Sequence, residues 1–409
     1  MATAAKAPNK PLAVVESEVP TLAHNLSPQH EARLRDFLAR YQAATGERFE
    51  LIRLEKGDAP ATLNLVSRYD MSDILSQSQR FVPLYAMMAK AGVPLKLTLS
   101  DELKPGVVDS RGRLVALPVL YSTPVMFYNK NAFRKAGLDA EQPPRTWFEM
   151  QGMLDKLQEA GYSCPYATSW PVWVHVDNVS AISGVPSAST QGAVSFNALP
   201  QVKHVSMMAT WSKAGYFRQL GRLDEASRAF QDGQCAMISA DSREYNDFLE
   251  ARGVELGIAP LPYHDDVYGG RRPSLADGPS LWVGAGASRA QYKKAAKFVS
   301  HVLSPEVQVE LVRTYGGLPL TAAARLAVRS KLLADGNKVL DVAYDSLRGS
   351  VATGPVRVAN IDPVRLIADE ELEAVWGANK PAKAALDTAV SRGNAVLGAK
   401  PALKKAQPF

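Results

Sequence analysis

The chain of 409 residues has only two cysteines, Cys164 and Cys235. Their spacing matches no metal motif. Each lies in a short apolar strand candidate, YSCPYATS and QCAMIS, so two buried free thiols are the default expectation. A disulfide between neighbouring strands is the alternative in an oxidising compartment. Histidine is also scarce: His24, His30, His175, His204, His264 and His301 include no HxxxH pair, so no zinc site is written locally. There is no GxSxG elbow and no phosphate-binding P-loop, and GAGAS at 284–288 lacks the third glycine of a dinucleotide fingerprint. No apolar run reaches the roughly 18–20 residues that span a bilayer. No block of Arg and Lys interleaved with aromatics is present, which argues against nucleic acid as a partner. The start, MATAAKAPNKPLAVVE, lacks the apolar core of a secretory signal. Taken literally it predicts a cytoplasmic chain; the alternative is a trimmed signal with Met1 added.

What is present is a globular composition: 46% hydrophobic, 22% charged and 8% aromatic, enough for two domains with their own cores. The net charge of +6 is modest and lies partly in Lys400, Lys404 and Lys405, as expected of a solvated surface.

Strand and helix signals alternate, predicting an α/β fold with mostly parallel sheets. Ser27-Pro28 reads as a helix start, with Leu34, Phe37, Leu38 and Tyr41 on one face and Gly46 at its end. FELIRL, ATLNLV, YATS, CAMISA, VELGIAPLP and PSLWVGAG read as strands. Thr146 precedes a helix carrying Trp147, Met150, Met153, Leu154 and Leu157. The most informative stretch is LPVLYSTPVMFYNKNAF at 117–133. Pro124 cannot donate a ladder hydrogen bond, so a strand carrying it lies at an edge or leaves its sheet there. The Gly/Pro/Arg-rich loop GGRRPSLADGP and the GGLP turn at Gly316–Pro319 read as two further crossings.

Two tryptophans, Trp170 and Trp173, flank a proline in the loop SWPVW. They are read either as core residues or as a wall against which a small ligand packs. Arg365 is read either as a surface ion pair with Asp369 or Glu370 or as a fork on an anionic or hydroxylated ligand.

The pieces STPVMFYNKNAFRKAGLD, EQPPRTW, GQCAM, SLWV, GGLP and DEELEAVW…ALDTAVSRGNAVL occur in order between about residues 110 and 398. This combination resembles the extracytoplasmic solute-binding proteins of ABC importers (family 1), in the branch that takes glycerol phosphates. The resemblance implies a two-lobed type II periplasmic-binding-protein fold, with no catalysis and no cofactor. It also implies delivery of a small-molecule ligand to ABC permease subunits by a monomer outside the cytoplasm. The expected N-terminal lobe is 1–124 with 279–318, and the C-terminal lobe 125–278 with 319–409. Hinge crossings are expected near 118–128, 272–280 and 315–320.

Residue by residue, the resemblance places Ser122 at a phosphate, Trp170 under a glycerol, Gly278 close to the ligand and Arg365 on the anion. Tyr121, Trp173 and Ser242 are further expected ligand-binding residues. Other positions depart from the pattern. Ser67, Tyr69 or Asp70 stands in for a glutamate, Gly317 replaces a tyrosine with Tyr315 nearby, and Asp241 replaces a serine. A carboxylate about 4 Å from a phosphate costs on the order of 4 kcal/mol at an effective dielectric of about 20. That is roughly a thousandfold in affinity. Either Asp241 caps a helix, with Arg243 cancelling its charge, or it receives ligand hydroxyls or a cationic group. The expected ligand is therefore changed from glycerol 3-phosphate: a glycerophosphodiester with a cationic head, or a sugar or polyol. An enzyme acting on a glycerophosphodiester, supported by the Asp241, Arg243, Glu244 and Tyr245 cluster, is the competing expectation, as is a sensor that feeds no transporter.

Overall fold

The computed structural model describes residues 18–26, 28–54, 59–67, 78–95, 97–189, 192–266, 270–332, 338–349 and 361–398. Its strands form two mixed sheets. The first contains β1 (Thr21–His24), β2 (Glu50–Arg53), β3 (Leu63–Val66), β4 (Phe81–Val82), β5 (Leu117–Pro118) and β11 (Ser280–Gly284). Its order is β2-β1-β3-β11-β4, with β5 also on β11. The second contains β6 (Pro124–Asn129), β7 (Cys164–Thr168), β8 (Phe217–Arg218), β9 (Cys235–Asp241) and β10 (Leu256–Pro260), in the order β10-β6-β9-β7-β8.

The expectation of mostly parallel sheets is corrected. β1 is parallel to β2 and β3, and β7 to β8 and β9. But β11 is antiparallel to β3, β4 and β5, and β6 to β9 and β10. β6 and β11 are the strands that arrive from the other sheet. Each enters at the edge where its parallel neighbours leave, so each runs against them. Pro124 opens β6 opposite Asp241, and its missing N–H therefore interrupts no ladder. β1, only TLAH, is too short to show a periodic signal and is absent from the sequence reading.

Local signals fix the helix ends. The helix Pro28–Thr45 stops before Gly46, whose φ is +72°, a conformation open to glycine. Thr146 and Glu149 form a capping box on the helix Trp147–Glu159. Ser304 caps the helix Pro305–Tyr315.

Alternate residues of β6 feed different cores, as a pleated strand requires. Val125 and Phe127 join a cluster with Leu63, Leu120, Leu281 and Phe248 that touches both sheets. Met126 and Tyr128 join Trp147, Tyr166, Trp211, Leu372 and Leu386. One core thus continues across the passage between sheets, where separate cores were expected. A third, small cluster holds Trp173, Val174, Ala181, Ile182, Leu261 and Leu275.

The default expectation for the cysteines is also corrected. Cys164 and Cys235 face each other in the first register of β7 and β9 with Cα atoms 4.6 Å apart, and they form a disulfide. Neighbouring-strand register supplies the proximity that their 71-residue separation hides.

Candidate functional site

The three passages anticipated from sequence meet at Tyr121–Ser122. Ser122 N donates to Asp277 O, and Asp277 N returns the bond to Ser122 O, both at 3.0 Å. Ser122 Oγ donates to the same Asp277 carbonyl at 3.3 Å. Leu318 N donates to Tyr121 O at 2.8 Å. Tyr121 and Ser122 are buried. The two candidate glycines press against Leu120: a Cβ on Gly278 would lie 2.3 Å from Leu120 O, and one on Gly317 3.2 Å from Leu120 Cα. Gly278 lacks room for a side chain before any ligand is considered, and Gly317 is tightly packed.

Beside this junction lies the end of β9. Asp241 accepts from Arg243 N at 3.1 Å, and the Arg243 guanidinium donates from Nε at 3.3 Å and from Nη2 at 3.0 Å. Asp241 is therefore both a cap and half of an ion pair. Burial disfavours the Arg243 cation, but Asp241, with Glu244 and Asp277 adding to it, outweighs burial and holds the guanidinium pKa above its ordinary value. Ser242 is buried; its N donates to Thr123 O at 3.0 Å and its Oγ accepts from Thr123 N at 3.3 Å. Glu244 follows. Burial pushes its carboxyl up to about 8, with Asp241 and Asp224 adding to the rise against Ser227 and Arg243.

Trp170 leaves β7 with φ +53°, a left-handed conformation uncommon outside glycine. Its N donates to Leu223 O at 2.7 Å and its O accepts from Val174 N at 3.0 Å. The expected loop continues instead as a buried π-helix, Val172–Asn178. Such turns are rare and occur disproportionately at functional sites. Trp173, on that helix, is buried in the small third cluster, whereas Trp170 is half-buried and, like Tyr263, packs against the same cluster.

Arg365, on the helix Ile361–Trp376, is 5% exposed, so the surface ion pair does not describe it. Its Nη1 lies 3.8 Å from Asp362 Oδ1, while Glu370 pairs with Arg392 at 2.8 Å. Asp369, one turn on, is buried with no hydrogen bond to Oδ1 among the described residues. Burial raises its carboxyl to about 7, opposed by Arg222 and Arg365 and assisted by Glu373 and Glu225. Tyr69 and Asp70 lie outside the described residues.

Sequence reasoning missed Asp277 and a histidine chain behind the site. Tyr166 OH donates to Ser239 Oγ at 2.7 Å and lies 3.3 Å from His175 Nε2. His175 Nδ1 is 2.9 Å from His204 Nε2, and His204 Nδ1 is 3.1 Å from His264 Nε2. With the tyrosine proton spent on Ser239, each Nε2–H donates inward and the Nδ1 atoms of His175 and His204 accept. The chain thereby ties the π-helix to the helix Leu199–Ala214 and to the segment after β10. No local pattern announces residues so far apart in sequence.

The described residues contain no helix long and apolar enough to cross a membrane. Residues 39–336 match the family model for the bacterial extracellular solute-binding protein. The sn-glycerol-3-phosphate-binding periplasmic protein UgpB of Salmonella typhimurium is 35% identical over 357 residues, covering 83% of this chain and 80% of that protein. Among solved structures, UgpB from Mycobacterium tuberculosis in complex with glycerophosphocholine superposes with a TM-score of 0.75 at 20% identity, covering 94% of this chain and 99% of the other. Maltose-bound MalE3 of T. maritima gives 0.74 at 17% identity, covering 92% and 99%. These likenesses agree with the two-sheet architecture, and the chain belongs to the bacterial extracellular solute-binding protein family.

Proposed function

We propose that this chain is the substrate-binding subunit of an ABC importer and captures a glycerophosphodiester with a cationic head. Closure of lobe 1–124 with 279–318 onto lobe 125–278 with 319–409 would bury the ligand, as hinge proteins do. The chain presents the ligand to permease subunits as a monomer and does not transform it. The disulfide and the periplasmic relatives support an extracytoplasmic location.

The observation that carries the phosphate in this reading is the Asp241–Arg243 pair. Its internal neutralisation removes the repulsion that a bare Asp241 would exert on a phosphate. Ser122 and Arg365 then serve the anionic part, while the half-buried face of Trp170 suits an alkylammonium group. Closely related proteins bear names for glycerol 3-phosphate, and a structural neighbour holds glycerophosphocholine, which places both compounds among the ligands to try.

Calorimetry with sn-glycero-3-phosphocholine, glycerol 3-phosphate and maltose tests this reading. The diester is expected to bind most tightly, by about tenfold or more. Submicromolar binding of glycerol 3-phosphate would refute the changed ligand. Preference for maltose would favour a sugar receptor, a reading supported by Trp170 and Tyr263, which both pack against one small core.

A further inference from the structure

The Gly/Pro/Arg-rich passage between β10 and β11 contains a charge that nothing above uses. Residues 271–277 run along the junction. Arg272 N donates to Ile182 O at 2.9 Å, and Leu275 N to Asn178 Oδ1 at 2.8 Å. Ser274 Oγ lies 2.8 Å from Thr123 Oγ1, and Asp277 is bonded to Ser122. The passage thus joins the end of the π-helix to the crossing strand. Ile182 and Leu275, from its two flanks, share the small cluster on which Trp170 and Tyr263 pack.

Arg271 opens this passage. Its Nε and Nη2 are buried and have no hydrogen-bond partner among the described residues. Other arginines here are engaged: Arg222 by Glu373, Arg134 by Glu255 and Arg392 by Glu370 and Glu371. The electrostatic neighbours of Arg271 are Tyr263 and Asp345; burial outweighs both and holds its pKa below the ordinary value. A guanidinium has five donors and no acceptor, so buried N–H groups with no partner are costly. Such a group persists where something else completes it.

We infer that Arg271 is a specificity-determining residue, a second cationic contact for the ligand's phosphate beyond Arg365, at the end of the site walled by Trp170 and Tyr263. The inference rests on the phosphodiester reading. It accounts for an arginine with two donor nitrogens hidden from water yet unmatched, with Tyr263 among its electrostatic neighbours and on a passage that reaches Ser122. A planar fork suits a phosphate that offers two oxygens. Arg271 then contributes affinity at the expense of the ligand-free fold.

The test uses the full chain, wild type and Arg271→Gln, titrated with sn-glycero-3-phosphocholine, inorganic phosphate and maltose, together with thermal melts without ligand. Arg271→Gln is expected to weaken diester binding by about tenfold or more. It should leave maltose unchanged and keep or raise the ligand-free melting temperature. A merely structural arginine would lower that temperature and leave affinity alone, which would overturn the inference. Diester binding that is equal in wild type and variant also overturns it and leaves the ligand class standing. Failure of the wild type to bind the diester overturns the ligand class and this inference with it. Weakening of phosphate and diester together supports a phosphate contact. Loss of the diester alone, with wild-type phosphate binding retained, would show that Arg271 touches another part of the ligand and would overturn its assignment to phosphate. If Arg271→Gln does not fold, phenylglyoxal labelling of wild type read by peptide mass replaces it: protection of Arg271 by the diester supports the contact, and equal labelling overturns it.

Discussion

Arg243 lies over Asp241 two residues before it, with Nη2 donating to Oδ2 at 3.0 Å and the Arg243 backbone N–H also reaching the carboxylate. The pair turns an apparent obstacle to anions into a neutral edge. Removing the cation should expose the obstacle. Arg243→Gln is expected to weaken diester binding by about 10–100-fold, a discount on the full Coulomb term because Arg243 is partly solvated. Asp241→Ser in the same chain should recover most of the loss. Calorimetry on the two variants checks both. Equal affinity in Arg243→Gln and wild type would mean that Asp241 faces away from the ligand.

The disulfide joins the starts of β7 and β9, whereas Trp170 and Asp241 lie at their ends. Cross-linking residues 71 positions apart should stabilise the fold by about 2–4 kcal/mol. Cys164→Ala with Cys235→Ala is therefore expected to lower the unfolding free energy by that amount, read from the urea midpoint and slope, and to change ligand affinity by less than about twofold. Urea titrations with and without reductant, paired with calorimetry, measure the two effects. A large affinity loss would show that strand register at the far end reaches the site.

Some of this organisation is legible from residue chemistry alone. Pro124 announces the crossing because a ring without an N–H cannot sit inside a ladder, and Thr146 with Glu149 announces a helix start because the two satisfy each other's orphan donors. Asp241 and Arg243 are adjacent enough for a cap and a pair to be weighed before any coordinates. The disulfide needed strand register, which spacing does not supply. The π-helix after Pro171 has no periodic signature that separates it from a loop. Arg271 reads as one of two surface arginines in a loop, and only its buried, unmatched donors distinguish it from Arg272. His175, His204 and His264 sit on three different elements, so their contact is a product of tertiary packing.

That histidine chain predicts an acid-sensitive fold. Burial lowers His175 to about 3 and His264 to about 4, and His204 lies well below its ordinary value. The folded chain keeps all three neutral while the unfolded chain takes up their protons below about pH 6.5. Stability therefore falls as pH drops from about 6.5 towards 4, by at most about 1.4 kcal/mol per pH unit for each histidine. Glu244 and Asp369 act in the opposite sense. Their folded values near 8 and 7 mean that the native state holds protons the unfolded state has lost above about pH 4.5. Three histidines against two acids leave a net loss on the acid side, and the acids alone act above pH 6.5. Urea midpoints from pH 4 to 8 should peak near pH 6.5. His204→Gln should flatten the acid limb, and a monotonic rise to pH 8 would contradict the balance.

Asp369 isolates the other limb. Its carboxyl sits one helical turn from Arg365, buried, with Oδ1 unmatched among the described residues. Ionising it in place is costly chiefly because of burial, which Arg222 and Arg365 only partly offset. Asparagine keeps the shape and removes the ionisation. Asp369→Asn should match wild type below about pH 4, gain stability steadily up to about pH 7 and level off above it, with a ceiling of about 4 kcal/mol. Binding adds a second readout. A phosphodiester does not titrate in this range, so a proton taken up on binding reports on the protein. An anion that neutralises Arg365 weakens the cation's hold on the Asp369 charge, so the wild type should take up a fraction of a proton near pH 7. Calorimetry in two buffers of different ionisation enthalpy counts it, and Asp369→Asn should abolish the uptake. Proton release instead of uptake would place the cationic head, rather than the phosphate, beside Arg365 and reverse the ligand's orientation in the site.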